Sequence, residues 1–480
     1  MIEICAVGGY NEVGKNCTAV KIDNEIVILD LGLHLENYIK FTEDREDLID
    51  ISGKQLMKVG AVPDIEAIDD LKDKVKAIII GHGHLDHVGA IPYLADSFKA
   101  PIICTQYTAA IINTTLKDEK IKIRNKVITL SSNSHYEISD NIKVEFIHVT
   151  HSIPQTVIVA IHTKQGIIVY ANDFKFDLSP VLGKKPNFKR LEELGKENVL
   201  ALIVESTYAS RLGKMPSENI AKEMLKDVLL RVDAKNKAIL VTTFSSHIAR
   251  LKSIIEFGKK LNRKMLFLGR SLSKYVKAGE SIGIINFTKD AELVKYSKQI
   301  KKRLRKIGSD GGKYLLVVTG HQGEPKSVLA KIVKNEIPFD LHESHVIFSC
   351  RTIPTPSNIE NRKKLEENLK SLHVRIFKDI HESGHAARED LRDLINMVKP
   401  ANIIPAHGDQ EMKQALASLA NEIGYKTRRQ RPPNCEGERR ERAGFRKARW
   451  PGDNTKNCNI SPFNKKKGEV ACYSRFFLQI

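Results

Sequence analysis

His82-Gly83-His84-Leu85-Asp86-His87 places three imidazoles and a carboxylate in one tight turn. The residues before it, Val75-Lys76-Ala77-Ile78-Ile79-Ile80, read as a buried strand. Gly81 and Gly83 then let the backbone turn sharply. Neutral imidazole and carboxylate are the ligands of a borderline cation such as zinc. His82 and His84 are two apart, so on an extended segment they point the same way. Asp86 and His87 follow one turn later and can address a second ion. With 16 histidines in 480 residues, chance clustering explains this stretch poorly.

The same local design recurs along the chain. Apolar runs lead into Asp30 (from Ile26), His151 (from Lys143), Asp173 (from Gly166), Glu205 (from Val199) and His407 (from Ala401). Each polar residue stands at the carboxyl end of an expected strand, the edge where layered α/β folds build sites. One such pairing carries little weight, because strands often end in polar residues. Their repetition with metal-ligand residue types predicts a single assembled centre.

Hydrophobic content of 41% and charged content of 28% describe an ordinary globular chain, long enough for two or three domains. No apolar run approaches the roughly 18 residues of a membrane span. Met1–Val7 reads as a strand without a basic region or cleavage site, so a signal peptide is not expected. Seven scattered cysteines show neither CxxC spacing nor a disulfide framework, which points to a reducing cytoplasm. The formal net charge of +19 favours a polyanionic partner such as nucleic acid. That excess is uneven: residues 427–480 hold 14 Lys and Arg against 5 Asp and Glu.

Residues 1–208 alternate apolar runs with turn signals, and residues 40–60 read as an irregular polar loop over a cleft. Between 209 and 380 the texture changes. Helical periodicity over Glu218–Leu230 and Ile248–Leu261 alternates with strands at 238–242, 265–268, 314–318 and 345–348, the pattern of a parallel-sheet α/β unit. The chain then returns over 381–426 to deliver His385 and His407. From 427 hydrophobic periodicity disappears. This tail is either a basic arm for RNA or a segment foreign to the fold, and the abrupt change after Gly424-Tyr425-Lys426 favours the second.

Taken together, HxHxDH, Asp30, His151, Asp173 and His407 resemble the metallo-β-lactamase fold, an αββα sandwich. Three further segments resemble the motifs of its β-CASP branch: Glu205 in Val204-Glu205-Ser206-Thr207-Tyr208, His385 in His381-Glu382-Ser383-Gly384-His385-Ala386, and His407 in Pro405-Ala406-His407-Gly408-Asp409. The third is in the histidine form that goes with RNA substrates. Thr319–Pro325 and Ser349–Pro354 also fit, and over residues 1–426 the chain is most similar to the short archaeal form of the ribonuclease J family. The expected architecture is therefore an α/β metallo-β-lactamase sandwich with an inserted β-CASP α/β domain.

The resemblance implies two zinc ions per subunit. His82, His84 and His151 would hold one, Asp86, His87 and His407 the other, and Asp173 would bridge. Two ions about 3.5–4 Å apart need a shared carboxylate to screen their repulsion, and they generate a nucleophile from water near neutral pH. Asp30 would orient a ligand histidine. Asp86, Glu205 and His385 are the expected catalytic residues, with Glu205 keeping His385 protonated to bind the scissile phosphate or assist the leaving oxygen. Ser383, Gly384 and His385, with Ser383 capping a helix from Ala386 to Val398, and Ser245, Ser246 and His247 before another helix, would line a pocket for a 5′-monophosphate. Simple helix capping stays an equal alternative for Ser245 and Ser246.

The activity implied is processive 5′-to-3′ exoribonuclease action on single-stranded RNA. The alternative is an archaeal cleavage-and-polyadenylation-like endoribonuclease. Those carry N-terminal RNA-binding KH modules, whereas here Ile2–Val7 is expected to start the catalytic core at once. Smaller hydrolases of the fold would share HxHxDH without the long excursion after Asp173. A catalytically dead scaffold would have lost ligands, and every expected one is present. Assembly as a homodimer is left open.

Overall fold

The computed structural model describes residues 1–42, 51–428, 469–471 and 477–479. Two mixed sheets form the body. The first runs β1 (Ile2–Gly8), β2 (Cys17–Ile22), β3 (Glu25–Leu29), β4 (Val75–Ile79), β5 (Ile102–Cys104) and β6 (Val127–Thr129), in that spatial order. The second begins with β7 (Ser134–Ser139), β8 (Ile142–His148), β9 (Val157–His162), β10 (Ile167–Ala171) and β11 (Val199–Glu205).

Strand alternation explains the stacking. Val27, Leu29, Ala77 and Ile79 point into a core shared with Val144, Phe146, Val159, Ile168 and Tyr170 of the second sheet. Ile26, Ile28 and Ile78 point the other way, onto Ile91, Leu94 and Tyr107. Helix Arg388–Val398 and helix Gln410–Glu422 cover the outer face of the second sheet through Leu391, Leu394 and Leu416. Burial on both faces is why β4 and β11 read as continuous apolar runs.

After β11 the chain builds a third, parallel sheet from β12 (Ile239–Thr242), β13 (Lys264–Leu268), β14 (Ala291–Val294), β15 (Tyr314–Val318), β16 (His345–Phe348) and β17 (Arg375–Phe377), in the order β14-β13-β15-β12-β16-β17. It re-enters the second sheet as β18 (Asn402–Ala406), which lies parallel to β11 with Glu205 opposite Ala406. The expected sandwich with an inserted α/β domain is thus the observed architecture. The insertion is not a loose appendage. Tyr107 and Ile111 of the body share one apolar cluster with Leu251, Leu272 and Tyr275 of the insertion, and the Tyr107 hydroxyl donates to the Tyr275 carbonyl at 3.0 Å.

Two expectations meet the structure differently. Within 40–60 the chain is not irregular throughout: Gly53–Lys58 is a helix, begun by a capping box in which the Gln55 N–H donates to Ser52 Oγ and the Ser52 N–H to Gln55 Oε1. Residues 43–50 of the expected loop lie outside the described residues. The helix expected from Ala386 begins at Arg388, and its start is held by Asp390, whose carboxylate accepts the Ala387 N–H at 3.0 Å, so Ser383 is not its cap. Most of 427–480 also lies outside the described residues. Of this region β19 (Lys426–Arg428) and β20 (Glu469–Ala471) join the second sheet beside β18, and β21 (Phe477–Gln479) pairs with β1. Among the described residues no helix is long and apolar enough to cross a membrane.

The two crossings between body and insertion are fastened by one buried cation. Arg250 is fully buried. It makes a bidentate pair with Glu218 at 2.6 and 2.8 Å, just beyond the outward crossing, and donates to the Ile380 carbonyl at 3.0 Å, just before the return. Burial alone would raise the Glu218 pKa, but Arg250 and His247 hold it well below the usual carboxylate range. Arg250→Met leaves that carboxylate buried and unpaired, and is expected to lose about 3–5 kcal/mol of stability, read by denaturant unfolding. Because the folded pKa is depressed, the deficit is full at neutral pH and narrows as pH falls below about 4.

Candidate metal centre

The carboxyl ends of five strands of the body converge on one point. Asp30 follows β3, the His82–His87 turn follows β4, His151 follows β8, Asp173 follows β10, and His407 follows β18. Asp30, Asp173 and His407 all have left-handed backbones, with φ of 60°, 64° and 48°. This conformation is unfavourable for an L-residue and is held where surrounding structure over-determines it. Gly32 is required for a different reason: a Cβ there would lie 1.7 Å from the Asp86 carbonyl oxygen.

Among the described residues three groups of side chains that could hold a metal ion share Asp173, the third being Asp173, Glu205 and His385. His82, His84, His151 and Asp173 are the first; Asp86, His87, His407 and Asp173 are the second, with donor atoms in each within 4.8 Å of one another. Asp173 Oδ2 faces His82 Nε2 at 3.4 Å, His87 Nε2 at 3.2 Å and His151 Nε2 at 3.6 Å, while Oδ1 faces His407 Nε2 at 3.2 Å. Asp86 Oδ2 lies 3.4 Å from His87 Nε2 and 3.6 Å from His407 Nε2.

Outer partners decide which nitrogen each ring turns inward. His87 Nδ1 donates to Asp30 Oδ2 at 2.6 Å, and that carboxylate also accepts the Tyr170 hydroxyl at 2.7 Å and the Gly81 N–H at 3.0 Å. His151 Nδ1 donates to the Gly384 carbonyl at 2.7 Å. His407 Nδ1 faces the Asn16 side-chain amide, 2.8 Å from Nδ2 and 3.0 Å from Oδ1, and Asn16 is itself oriented by Asn172 at 3.0 Å. His84 turns Nε2 outward, 3.0 Å from Ser246 Oγ.

The consequence is that ring nitrogens of several histidines face one another across the centre. His82 Nε2 and His151 Nε2 each lie 3.1 Å from His84 Nδ1. Burial, and then neighbouring imidazoles, hold His82, His84 and His151 below the usual imidazole range, in the neutral form a ligand needs. Asp173 Oδ1 and His407 Nε2 are buried without a hydrogen-bond partner. His87 goes the other way: burial would lower its pKa, but Asp86, Asp173 and Asp30 push it well above the usual imidazole range. Three neutral imidazoles, two more beside three carboxylates, and an unpaired Asp173 oxygen are a donor set that fits divalent cations sharing Asp173.

Glu205 and His385 stand beside this centre. Glu205 is fully buried, accepts the Phe174 N–H at 2.9 Å, and holds His385 Nδ1 at 2.7 Å. His385 Nδ1 also lies 3.8 Å from Asp173 Oδ1. Burial would lower the His385 pKa, but Glu205 and Asp173 push it up to about 10. Ser383 Oγ accepts the His385 N–H at 3.3 Å, and the Ser383 carbonyl accepts Lys175 Nζ at 2.9 Å. Gly384 must be small, since a Cβ would lie 2.9 Å from His151 Nδ1. Ser245 bonds Ser271 at 2.9 Å, and His247 Nε2 lies 3.3 Å from Glu218, so neither Ser245 nor Ser246 caps the following helix. Asn16, Tyr170, Asn172 and Lys175 went unnoticed in the sequence. Asn172 immediately precedes Asp173 at a strand end, a signal that was readable; Asn16 carried none, as its partners are remote in the chain.

This fold and centre are those of the metallo-β-lactamase superfamily carrying a β-CASP insertion. The family model of that superfamily matches residues 10–201, the ribonuclease J β-CASP domain matches 236–367, and the Zn-dependent metallo-hydrolase RNA specificity domain matches 372–429. Ribonuclease J of Methanocaldococcus jannaschii is 42% identical over 428 residues, 88% of this chain and 95% of that one. Ribonuclease J of Pyrococcus abyssi is also 42% identical, covering 88% and 94%. Ribonuclease J 2 of Staphylococcus aureus is 31% identical over 88% of this chain and 72% of its own length. A crystal structure of a protein of unknown function from Enterococcus faecalis shares the fold at a TM-score of 0.58 and 18% identity, covering 86% and 95%. The chain belongs to the ribonuclease J family.

Asn16→Ala removes the amide that faces both His407 Nδ1 and His87 Nε2 and holds the two rings in place. The expected result is at least about a tenfold loss of affinity for one metal ion, measured by metal content after dialysis against graded chelator.

Proposed function

We propose that this chain is a zinc-dependent ribonuclease acting 5′ to 3′ on single-stranded RNA with a 5′-monophosphate, in the cytoplasm. The observation that carries the reading is the His385–Glu205 pair set against a two-ion centre through the shared Asp173. Two divalent cations held by His82, His84, His151, Asp86, His87, His407 and Asp173 would supply a water-derived nucleophile near neutral pH and would neutralise charge on phosphate oxygens.

The protein groups divide the remaining work. Asp86 and Asp173 bring the negative charge that holds two cations together. Asp30 and Asn16 keep His87 and His407 turned inward. Glu205 commits His385 Nδ1, so the imidazolium has its Nε2–H for the scissile phosphate or the departing oxygen. The Ser383-Gly384-His385 segment, which touches His151, and the Ser245-Ser246-His247 turn, which touches His84, are our candidates for the 5′-phosphate pocket.

His385→Ala is expected to cut turnover by about 10²–10⁴-fold with bound metal unchanged. Equal loss of metal and activity would contradict the role. The whole reading is tested with RNA labelled at its 5′ end. Release of labelled mononucleotide, slowed by a 5′-triphosphate and absent in Asp86→Ala, is the expected result. Labelled internal fragments would instead favour the cleavage-and-polyadenylation-like endonuclease, and no cleavage by the metal-loaded chain would overturn both.

A further inference from the structure

Four of the five inward-facing imidazoles have an outer nitrogen with a located partner, and three of those partners belong to the two-sheet body: Asp30, Asn16 and Gly384. His84 is the exception. Its Nε2 lies 3.0 Å from the hydroxyl of Ser246, which is 162 residues away in the turn between β12 and helix Ile248–Lys260 of the inserted domain. Ser152 Oγ lies at 3.5 Å, the limit of a hydrogen bond, and does not replace it.

Within the turn the hydroxyl makes no hydrogen bond that caps the helix, and its located partner is His84. The residue before the helix is His247, which makes no side-chain cap bond, and the Ser246 carbonyl accepts the Ile248 N–H at 2.9 Å. Ser246 itself is 8% exposed, so its hydroxyl is directed into the seam between the domains rather than to solvent. The same seam is closed by Tyr107 against Tyr275 and by Lys295 against Asp118 at 2.7 Å.

We infer that Ser246 is a positioning residue through which the inserted domain completes the metal centre. By accepting the His84 Nε2–H, its hydroxyl selects the tautomer whose Nδ1 lone pair faces His82 and His151, and it fixes the ring there. A neutral imidazole carries one ring N–H. Without Ser246 the proton can move to Nδ1 or the ring can rotate, and either must be reversed before a cation binds. Affinity for the ion held by His82, His84 and His151 is therefore coupled to the seating of the inserted domain, and by linkage the ion helps to seat that domain. The inference rests on the metal-dependent reading above and adds a residue and an inter-domain coupling to it.

The test compares the full-length chain with Ser246→Ala and Ser246→Thr. Each is stripped of metal, then titrated with zinc in competition with a chromophoric chelator. The wild-type chain should take two ions. Ser246→Ala should also take two, one of them with about tenfold lower affinity and the other unchanged. Ser246→Thr keeps the hydroxyl and should regain the lost affinity. Melting curves of the three metal-free chains should coincide. Unchanged affinities in Ser246→Ala, equal losses at both sites, no recovery in Ser246→Thr, or a lower melting temperature of metal-free Ser246→Ala would overturn the inference. A wild-type chain that takes up no zinc would overturn the metal-dependent reading itself, and the inference with it.

Discussion

The centre is organised around one buried carboxylate. Asp173 is 2% exposed and stands among imidazoles from the β4 turn and from the ends of two other strands, β8 and β18. A carboxylate removed from water is costly unless cations or donors surround it. Burial would raise its pKa, but His407, His87 and His385 hold it well below the usual range. Oδ2 faces His82 and His151 of one group and His87 of the other, and Oδ1 faces His407, so this one side chain belongs to both groups. The left-handed backbone at Asp173 turns the side chain back over the end of β10 and into that position.

A ring of hydrogen bonds around the ligands carries the same constraint outward. Asp30 links His87 to Tyr170, Tyr170 accepts from Asn172 at 2.9 Å, and Asn172 reaches Asn16, which holds His407. The members come from both sheets, so the sandwich and the centre are mutually dependent: sliding one sheet over the other would break the ring. In a low-dielectric interior such a network favours a single arrangement, because any broken member is left unsatisfied.

The inserted domain contributes more than a wall. It shares an apolar cluster with the body, and Arg250 fastens both crossings. Inside the insertion, the two motif segments noted in the sequence are bound to each other: Gln322 donates to the Arg351 carbonyl at 3.0 Å and accepts the Ile353 N–H at 2.8 Å. The two motifs therefore stiffen each other, while Ser246 extends from the same domain to His84.

Several things were legible in the chain itself. Strand periodicity is local, so β3, β4, β10, β11 and β18 were placed by apolar runs alone. The ligands were visible because strand-end positions and the HxHxDH spacing are local too, and their division into two groups was implied by resemblance. Helix starts were less legible. Ser383 carried a capping residue type, yet the helix begins at Arg388, because Asp390 holds the Ala387 N–H while the Ser383 carbonyl is taken by Lys175. What only the tertiary structure decided is which nitrogen each histidine turns inward, and that Asn16 and Ser246 set two of those choices. A tautomer is chosen by a partner within about 3 Å. For His407 and His84 those partners lie 391 and 162 residues away, beyond anything a local pattern encodes.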